Sequence, residues 1–296
     1  MTKNEFNTNI INTAIDRVEE CCAELTQMVT KMPHLHIIST SNDGPSEVYM
    51  TGKINTAAKF GIEATKHVVT QDTIMTKLTE LSKDLNNKII IQLPLGDPDD
   101  YPGLTEMLDL IHPMQDVDGF KVPFVDINSM ELPNEFITHP TFSPTAKGVL
   151  LLNMLVDDEI KGKEVAIVGK GLTSGLPIST MYNRLGATVY NINSRTSDYI
   201  KSHCMCNSEI IVSCAGADMT ESLAKLYSNK ICINVGMRKE GNKLLGDLDY
   251  DKLHEHAKFI NPVKGSTGKL TTLFLIYNCL ASQMTHEVVR YNNTTK

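Results

Sequence analysis

A chain of 296 residues, 41% hydrophobic and 21% charged, has ordinary globular composition and length enough for one large domain or two modest ones. Its net charge of -7 argues against a general nucleic-acid binder, which needs basic patches, yet leaves room for a small anionic ligand in a local basic pocket. The longest apolar run, GVLLLNMLV, is too short to cross a bilayer, and the polar first twenty residues hold no apolar core of the secretory kind.

Seven cysteines, an odd number without secretory context, predict reduced thiols and a cytoplasmic chain. The stretch HCMC, residues 203–206, could be half of a metal site. No second CxC or CxxC pair completes it, so no metal is expected.

In chain order, FNTNIINTAIDRVEECCAELTQMV (6–29) has helical periodicity and HLHIIST (34–40) reads as a short strand. A helix is then predicted from an N-cap at Ser46 to about Gly61. It carries Tyr49 and Lys53 four positions apart, on one helical face. By themselves these two read first as a surface lysine lying along a half-buried tyrosine. KHVVT (66–70), KIIIQLPL (88–95) and VDGFKVP (117–123) are short apolar or β-branched pieces, with the helix candidate QDTIMTKLTELSKDL (71–85) among them. This alternation predicts α/β layering.

The signal sharpens after HPTFSPTAKG, where a domain boundary is predicted near residues 140 to 147. EVAIVG reads as a buried strand and ATVYNI, SEIIVSCAG and KICINVG as the next three strands, with the helix PISTMYNRLG between the first two. Together they predict a Rossmann-like unit. TTLFLIYNCLASQMTHEVVRY closes the chain as one long amphipathic helix. Directly after EVAIVG comes Gly169-Lys170-Gly171-Leu172-Thr173-Ser174-Gly175. Glycines there let the backbone approach a phosphate, and the next helix start supplies N–H donors. The GxGxxxG spacing is one residue longer than the common dinucleotide fingerprint, and such loops also serve as plain tight turns. At the end of the second strand an NAD enzyme often has a carboxylate for the ribose. Here the sequence reads Asn193-Ser194-Arg195-Thr196. A hydroxyl, a guanidinium and Lys170 suit a 2′-phosphate, so NADP is favoured over NAD.

The chain resembles the bifunctional methylenetetrahydrofolate dehydrogenase/methenyltetrahydrofolate cyclohydrolase family over nearly its whole length. SEVYMTGKINTAAKFGI looks like the family's Y-x-x-x-K helix, IIIQLPL like its Q-L-P-L strand end, and DVDGF matches its D-V-D-G motif. GKEVAIVGKGLTSGLP looks like its nucleotide loop, with Lys170 where arginine is usual, and NSRT like its H-S-R/K-T segment. INVG, LLGDLDY and NPVKGSTGKLTTLFLIYNCL follow in the family's order. The departures are Ser143-Pro144-Thr145-Ala146 for Pro-Cys-Thr-Pro, Asn193 for histidine, and Asn234-Val235-Gly236 for D-V-G. Residues 262–271 stand for P-V-P-G-G-V-G-P-M-T, which leaves Pro262 and Gly265 in place and puts Lys264, Ser266, Thr267, Lys269 and Leu270 where the family differs.

The resemblance implies catalytic roles for Lys53, Gln92, Tyr49 and Asp118. It implies folate contacts from Tyr49, Gln92, Asp118, Pro262 and Gly265. Gly169, Lys170, Gly171, Gly175, Ser194 and Arg195 would hold NADP. Ser46 is readable equally as a helix cap or a minor substrate contact. Two α/β domains are expected: a catalytic folate domain over 1–142 and a Rossmann-like NADP domain over 143–272. A C-terminal helix over 273–296 would pack back on the first. The substrates would be tetrahydrofolate derivatives and the assembly a homodimer, with neither nucleic acid nor membrane as partner. The alternatives are a dehydrogenase without the hydrolase step, a non-catalytic folate or nucleotide sensor on the same fold, and an unrelated NADP dehydrogenase acting on shikimate or amino acids.

Overall fold

The apolar runs become short parallel strands buried under helices, the arrangement that satisfies the backbone of a run with no polar face. The structure, a computed structural model, describes residues 1–40, 44–95, 103–121, 124–220, 224–241 and 243–294. The chain divides into two compact units, one of residues 18–123, 138–144 and 272–296, the other of residues 1–17, 124–137 and 145–271.

Helix α1 (Lys3–Met28) contributes its C-terminal part to the first unit. There β1 (His34–Ser39), α2 (Gly44–Lys59), β2 (Glu63–Val68), α3 (Gln71–Leu81), β3 (Asn87–Ile91) and α4 (Leu104–Asp109) alternate. The sheet is parallel in the order β2-β1-β3. Ile38, Ile89 and Ile91 pack with Ile74, Leu78 and Leu81 of α3 and with Met107. Helix α2 begins at Gly44 with Pro45 in its first turn, where a ring-fixed φ suits a helix start. Ser46 therefore lies inside the first turn and is not the cap that the sequence predicts. At the other end Gly61 takes φ +72° and stops the helix, as expected of a terminal glycine. VDGFKVP forms no strand among its described residues. It is a turn at Gly119, φ +77°, tied to β3 by a single bridge between Ile89 and Asp116. Val122 and Pro123 lie outside the described residues.

The other unit takes α5 (Phe124–Ser129), α6 (Pro133–Thr138, all but its last residue) and α7 (Pro144–Val156, from its second residue on). Then follow β4 (Glu164–Val168), α8 (Gly175–Arg184), β5 (Thr188–Ile192), α9 (Asp198–Asn207), β6 (Ile210–Ser213) and β7 (Ile231–Asn234). A hairpin of β8 (Met237–Glu240) and β9 (Lys243–Gly246), helix α10 (Tyr250–Leu253) and β10 (Phe259–Ile260) complete it. The sheet is parallel in the order β10-β7-β6-β4-β5. The sequence reading did not anticipate α9, the β8–β9 hairpin or β10, all short and without a long apolar period. HCMC lies on α9, with Cys204 buried and Cys206 exposed, and none of the seven cysteines is joined in a disulfide.

The start of α1 groups with this unit, against the expectation that residues 1–142 form one domain. Lys3 Nζ donates to Ala257 O at 3.0 Å and the Tyr250 hydroxyl to Asn4 Oδ1 at 2.7 Å, long-range bonds that no local pattern announces. Helix α11 (Thr267–Thr294) enters the first unit from residue 272. Asn278 Nδ2 donates to Val117 O (2.9 Å) and Phe142 O (2.8 Å), and Gln283 Nε2 to Asn86 Oδ1 (2.9 Å). Among the described residues no helix is long and apolar enough to cross a membrane, and no group of three or more histidine, cysteine or acidic residues could hold a metal ion.

Candidate active site and nucleotide loop

In the first unit the helical spacing of α2 and the end of β3 converge. Gln92 follows β3 and its amide N–H donates to Ile38 O at 2.8 Å, so the pairing with β1 fixes where its side chain starts. Lys53 Nζ donates to Gln92 Oε1 at 3.0 Å and lies 4.0 Å from Asp118 Oδ2. The lysine and aspartate side chains are only 13% and 18% exposed, so water screens this pair little. Gln92 Nε2 donates to Leu93 O at 3.0 Å, which orients the amide with its oxygen toward the lysine. Tyr49 lies one turn before Lys53 on α2 with 44% of its surface exposed.

Asp118 is placed by its neighbours. Asp116 is buried, and its two carboxylate oxygens accept from Gly119 N (3.1 Å) and Lys121 N (2.6 Å). A Cβ on Gly119 would come within 2.4 Å of Thr141 O and 2.7 Å of Ser143 N, so this turn needs glycine for space as well as for φ. Asp116 and Asn278, the clamps of the D-V-D-G turn, were not among the sequence candidates. The first acid of the motif was the visible signal.

Burial raises the Asp116 carboxyl from 3.8 to about 7, with nearby Asp118 acting in the same direction against the backbone N–H donors. In the same unit burial, and then the charge of His34, lower His36 from 6.5 to about 4; its ring is held by His67 Nε2 at 3.0 Å and Asn87 Oδ1 at 3.1 Å. The signs oppose. Between about pH 4 and 7 the native state holds more protons at Asp116 than the unfolded chain, so this term weakens stability as pH rises. Between about pH 4 and 6.5 the unfolded chain holds more protons at His36, so that term strengthens it. Asp116→Asn should therefore steepen the rise of Tm with pH across this window, and His36→Gln should flatten or invert it. Calorimetric Tm profiles parallel to wild type for both variants would refute the assignment.

In the other unit the loop between β4 and α8 is shaped by contact. Gly169 has φ +114°, and a Cβ there would lie 2.4 Å from Cys214 O. A Cβ on Gly175 would lie 2.1 Å from Gly169 O. A Cβ on Gly171 would meet no further atom within 4 Å among the described residues, and Lys170 is exposed beside it. The loop thus folds tightly on itself and leaves an open backbone face at the start of a ten-residue helix, a cradle that fits a pyrophosphate. It follows β4, where the strand order reverses between β5 and β6, the usual place for a ligand in an open parallel sheet. At the end of β5, Arg195 N donates to Asn193 Oδ1 (2.9 Å) and Thr196 N to Asn193 O (3.0 Å). This asparagine turn presents Ser194 and Arg195 to solvent.

Pro262 and Gly265 belong to this unit, apart from Tyr49, Lys53, Gln92 and Asp118. Their loop is tied down by the residues at which the sequence departs from the family pattern. Asn261 Nδ2 donates to Asn234 O (2.9 Å) and Ser266 Oγ (2.9 Å), the Ser266 hydroxyl donates to Pro262 O, and Thr267 Oγ1 donates to Asn234 O (2.9 Å). Ser266, Thr267 and the Asn234 carbonyl thus share one buried network.

Residues 7–118 match the tetrahydrofolate dehydrogenase/cyclohydrolase catalytic domain, and residues 143–287 match the NAD(P)-binding domain of the same family. A bifunctional protein FolD from Agathobacter rectalis is 30% identical over 286 residues, covering 94% of this chain and 98% of that protein. One from Mycoplasma mycoides is 29% identical, covering 89% and 90%. Among solved structures, a Trypanosoma brucei methylenetetrahydrofolate dehydrogenase-cyclohydrolase, crystallised with NADP and an inhibitor, superposes with TM-score 0.79 at 25% identity, covering 92% of this chain and 96% of that one. With both domain matches in the order of the motifs and a 30% identical relative spanned almost end to end, the chain belongs to the tetrahydrofolate dehydrogenase/cyclohydrolase family.

Proposed function

We propose that this chain oxidises 5,10-methylenetetrahydrofolate to the methenyl form with NADP⁺ and hydrolyses that product to 10-formyltetrahydrofolate. The supporting observation is the Lys53 ammonium held at 3.0 Å from Gln92 and 4.0 Å from Asp118 in a chain of this family. When bound, the nucleotide supplies the hydride acceptor, and a folate nitrogen lone pair expels the hydride, so alignment matters more than a protein base. Ring hydrolysis moves protons. As the free amine, Lys53 Nζ takes a proton from the attacking water and then, as the ammonium, gives one to the departing folate nitrogen, and Gln92 Oε1 holds it in place for that. Asp118 accepts from the pterin's amino and ring N–H groups, and Tyr49 stacks on a flat ring of the substrate.

In this reading residues 18–123 with the C-terminal helix form the folate unit, and residues 145–271 form the nucleotide unit with contacts from Gly169, Lys170, Gly171, Gly175, Ser194 and Arg195. Pro262 and Gly265 are the further folate contacts of this reading. The protein acts as a cytoplasmic homodimer and serves one-carbon metabolism, purine biosynthesis included. Following NADPH formation and methenyl decay separately on purified protein tests both half-reactions, and a protein inactive in both would overturn the reading. Sedimentation equilibrium tests the dimer.

Arg195 and Ser194 carry the cofactor choice. Arg195→Ala should weaken NADP⁺ by about 1.5–3 kcal/mol, the scale of a hydrogen bond to a charged group, and spare NAD⁺. Titration with both nucleotides checks this, and a wild-type preference for NAD⁺ would contradict it.

A further inference from the structure

One buried carboxylate in the nucleotide unit has no part in the reading so far. Asp247 follows β9 and has no exposed surface. Its Oδ2 accepts from Ser213 Oγ (2.8 Å), Ala215 N (2.7 Å) and Gly216 N (3.2 Å), three donors from the one turn that ends β6. Its Oδ1 is buried without a hydrogen-bond partner. Room is kept for it, since a Cβ on Gly236 at the end of β7 would lie 2.0 Å from Oδ2. Its own backbone N–H donates to Asn234 Oδ1 at 3.1 Å. A buried carboxylate is costly unless donors compensate it, and with Oδ1 unpartnered that compensation falls on the three donors at Oδ2, which the carboxylate therefore holds firmly.

The turn that Asp247 holds is the surface on which the glycine loop rests. Cys214 N donates to Val168 O at 2.8 Å, and the space a Cβ on Gly169 would need is taken by Cys214 O at 2.4 Å and Ala215 N at 3.1 Å. A shift of this turn by a few tenths of an ångström therefore presses on Gly169, and through it on Gly175, whose own Cβ space is filled by Gly169 O at 2.1 Å.

We propose that Asp247 is a positioning residue for the dinucleotide: through Ser213, Ala215 and Gly216 it sets the height of the turn under the glycine loop, and so the shape of the phosphate cradle. It is reached from a strand pair far along the chain, and it acts on the cofactor without touching the folate groups around Lys53. The inference rests on the NADP reading of the loop.

The test compares Asp247→Ala, Asp247→Asn and wild type in two measurements. NADP⁺ affinity is measured by calorimetric titration, which needs no turnover, and methenyl hydrolysis is followed without nucleotide. Asp247→Ala removes all three acceptor contacts and should raise the NADP⁺ dissociation constant at least tenfold, with the hydrolysis rate within twofold of wild type. Asp247→Asn keeps one acceptor oxygen toward the turn and should recover most of the lost affinity. Unchanged NADP⁺ affinity in Asp247→Ala would overturn the proposal. So would a parallel loss of affinity and hydrolysis, which marks Asp247 as a general core residue. If the alanine variant does not fold, Ser213→Ala, which removes one of the three donors, replaces it: a rise of about threefold in the dissociation constant with hydrolysis intact supports the proposal, and no rise overturns it. Wild-type protein that fails to bind NADP⁺ at all would instead refute the cofactor reading itself, a result distinct from any of these.

Discussion

Lys53→Met should abolish measurable methenyl hydrolysis while the dehydrogenase falls much less. The two half-reactions ask different things of the same lysine. Hydride expulsion is driven from the folate nitrogen and needs two reactants aligned. Hydrolysis adds water, opens a ring and relocates protons, and general acid–base help is worth roughly 10² to 10⁴ in rate. Methionine keeps the length of the stem and removes the ammonium, so Gln92 Oε1 loses the donor now at 3.0 Å and Asp118 loses the cation at 4.0 Å. Tyr49→Ala, one turn earlier on α2, should impair both reactions, because it removes a binding surface used by each. Parallel kinetics on the purified variants decide the matter. Equal losses in both activities for Lys53→Met would reduce the lysine to a substrate-positioning role, and unchanged activities would return it to a lysine beside a packed tyrosine.

Gly175→Ala should produce the opposite split. The added methyl group would stand 2.1 Å from Gly169 O and 3.0 Å from Lys170 Cα, both backbone atoms, so the loop must move to admit it. Misplacement of a reactant by about 1 Å costs on the order of 10²-fold in rate. Dehydrogenase activity should fall by at least that factor through weaker and misaligned NADP⁺. Methenyl hydrolysis, which consumes no nucleotide, should persist. A variant that binds NADP⁺ like wild type would show that these glycines close a turn and hold nothing.

The contrast between these two variants mirrors what could be read from the chain before its structure. Lys53 and Tyr49 were visible because four residues make about one helical turn, and Gly169 and Gly175 because a glycine-rich loop between a buried strand and a helix suits a phosphate. The same local logic placed β1, β3 and β4 to β7 and ended α2 at Gly61, since apolar runs and helix stops act over a few residues. Asn193-Ser194-Arg195 carried the NADP preference, a matter of which charges stand at one strand end.

Pairings over long sequence distances were decided only by the tertiary structure. Lys53 and Gln92 are 39 positions apart, and nothing in either segment states that an ammonium and an amide oxygen come within 3.0 Å. Of the two acids in D-V-D-G, the resemblance named Asp118, but no local pattern gives the reason. The bridge from Asp116 to β3 and the donors Gly119 N and Lys121 N bury the first and leave the second for Lys53. Ser46 looked like a cap because serine caps helices, but Pro45 starts the helix before it. Bonds from Lys3 to Ala257 and from Tyr250 to Asn4 tie the start of α1 to the nucleotide unit, although the catalytic-domain match begins at residue 7. Asp247 was one letter in a matched motif until the fold brought Ser213, Ala215 and Gly216 to it from more than 30 residues away. Composition and period dictate which segments are strands and helices, because those preferences are local. Which side chains meet depends on how the finished elements stack, and that is settled by the burial of the whole core.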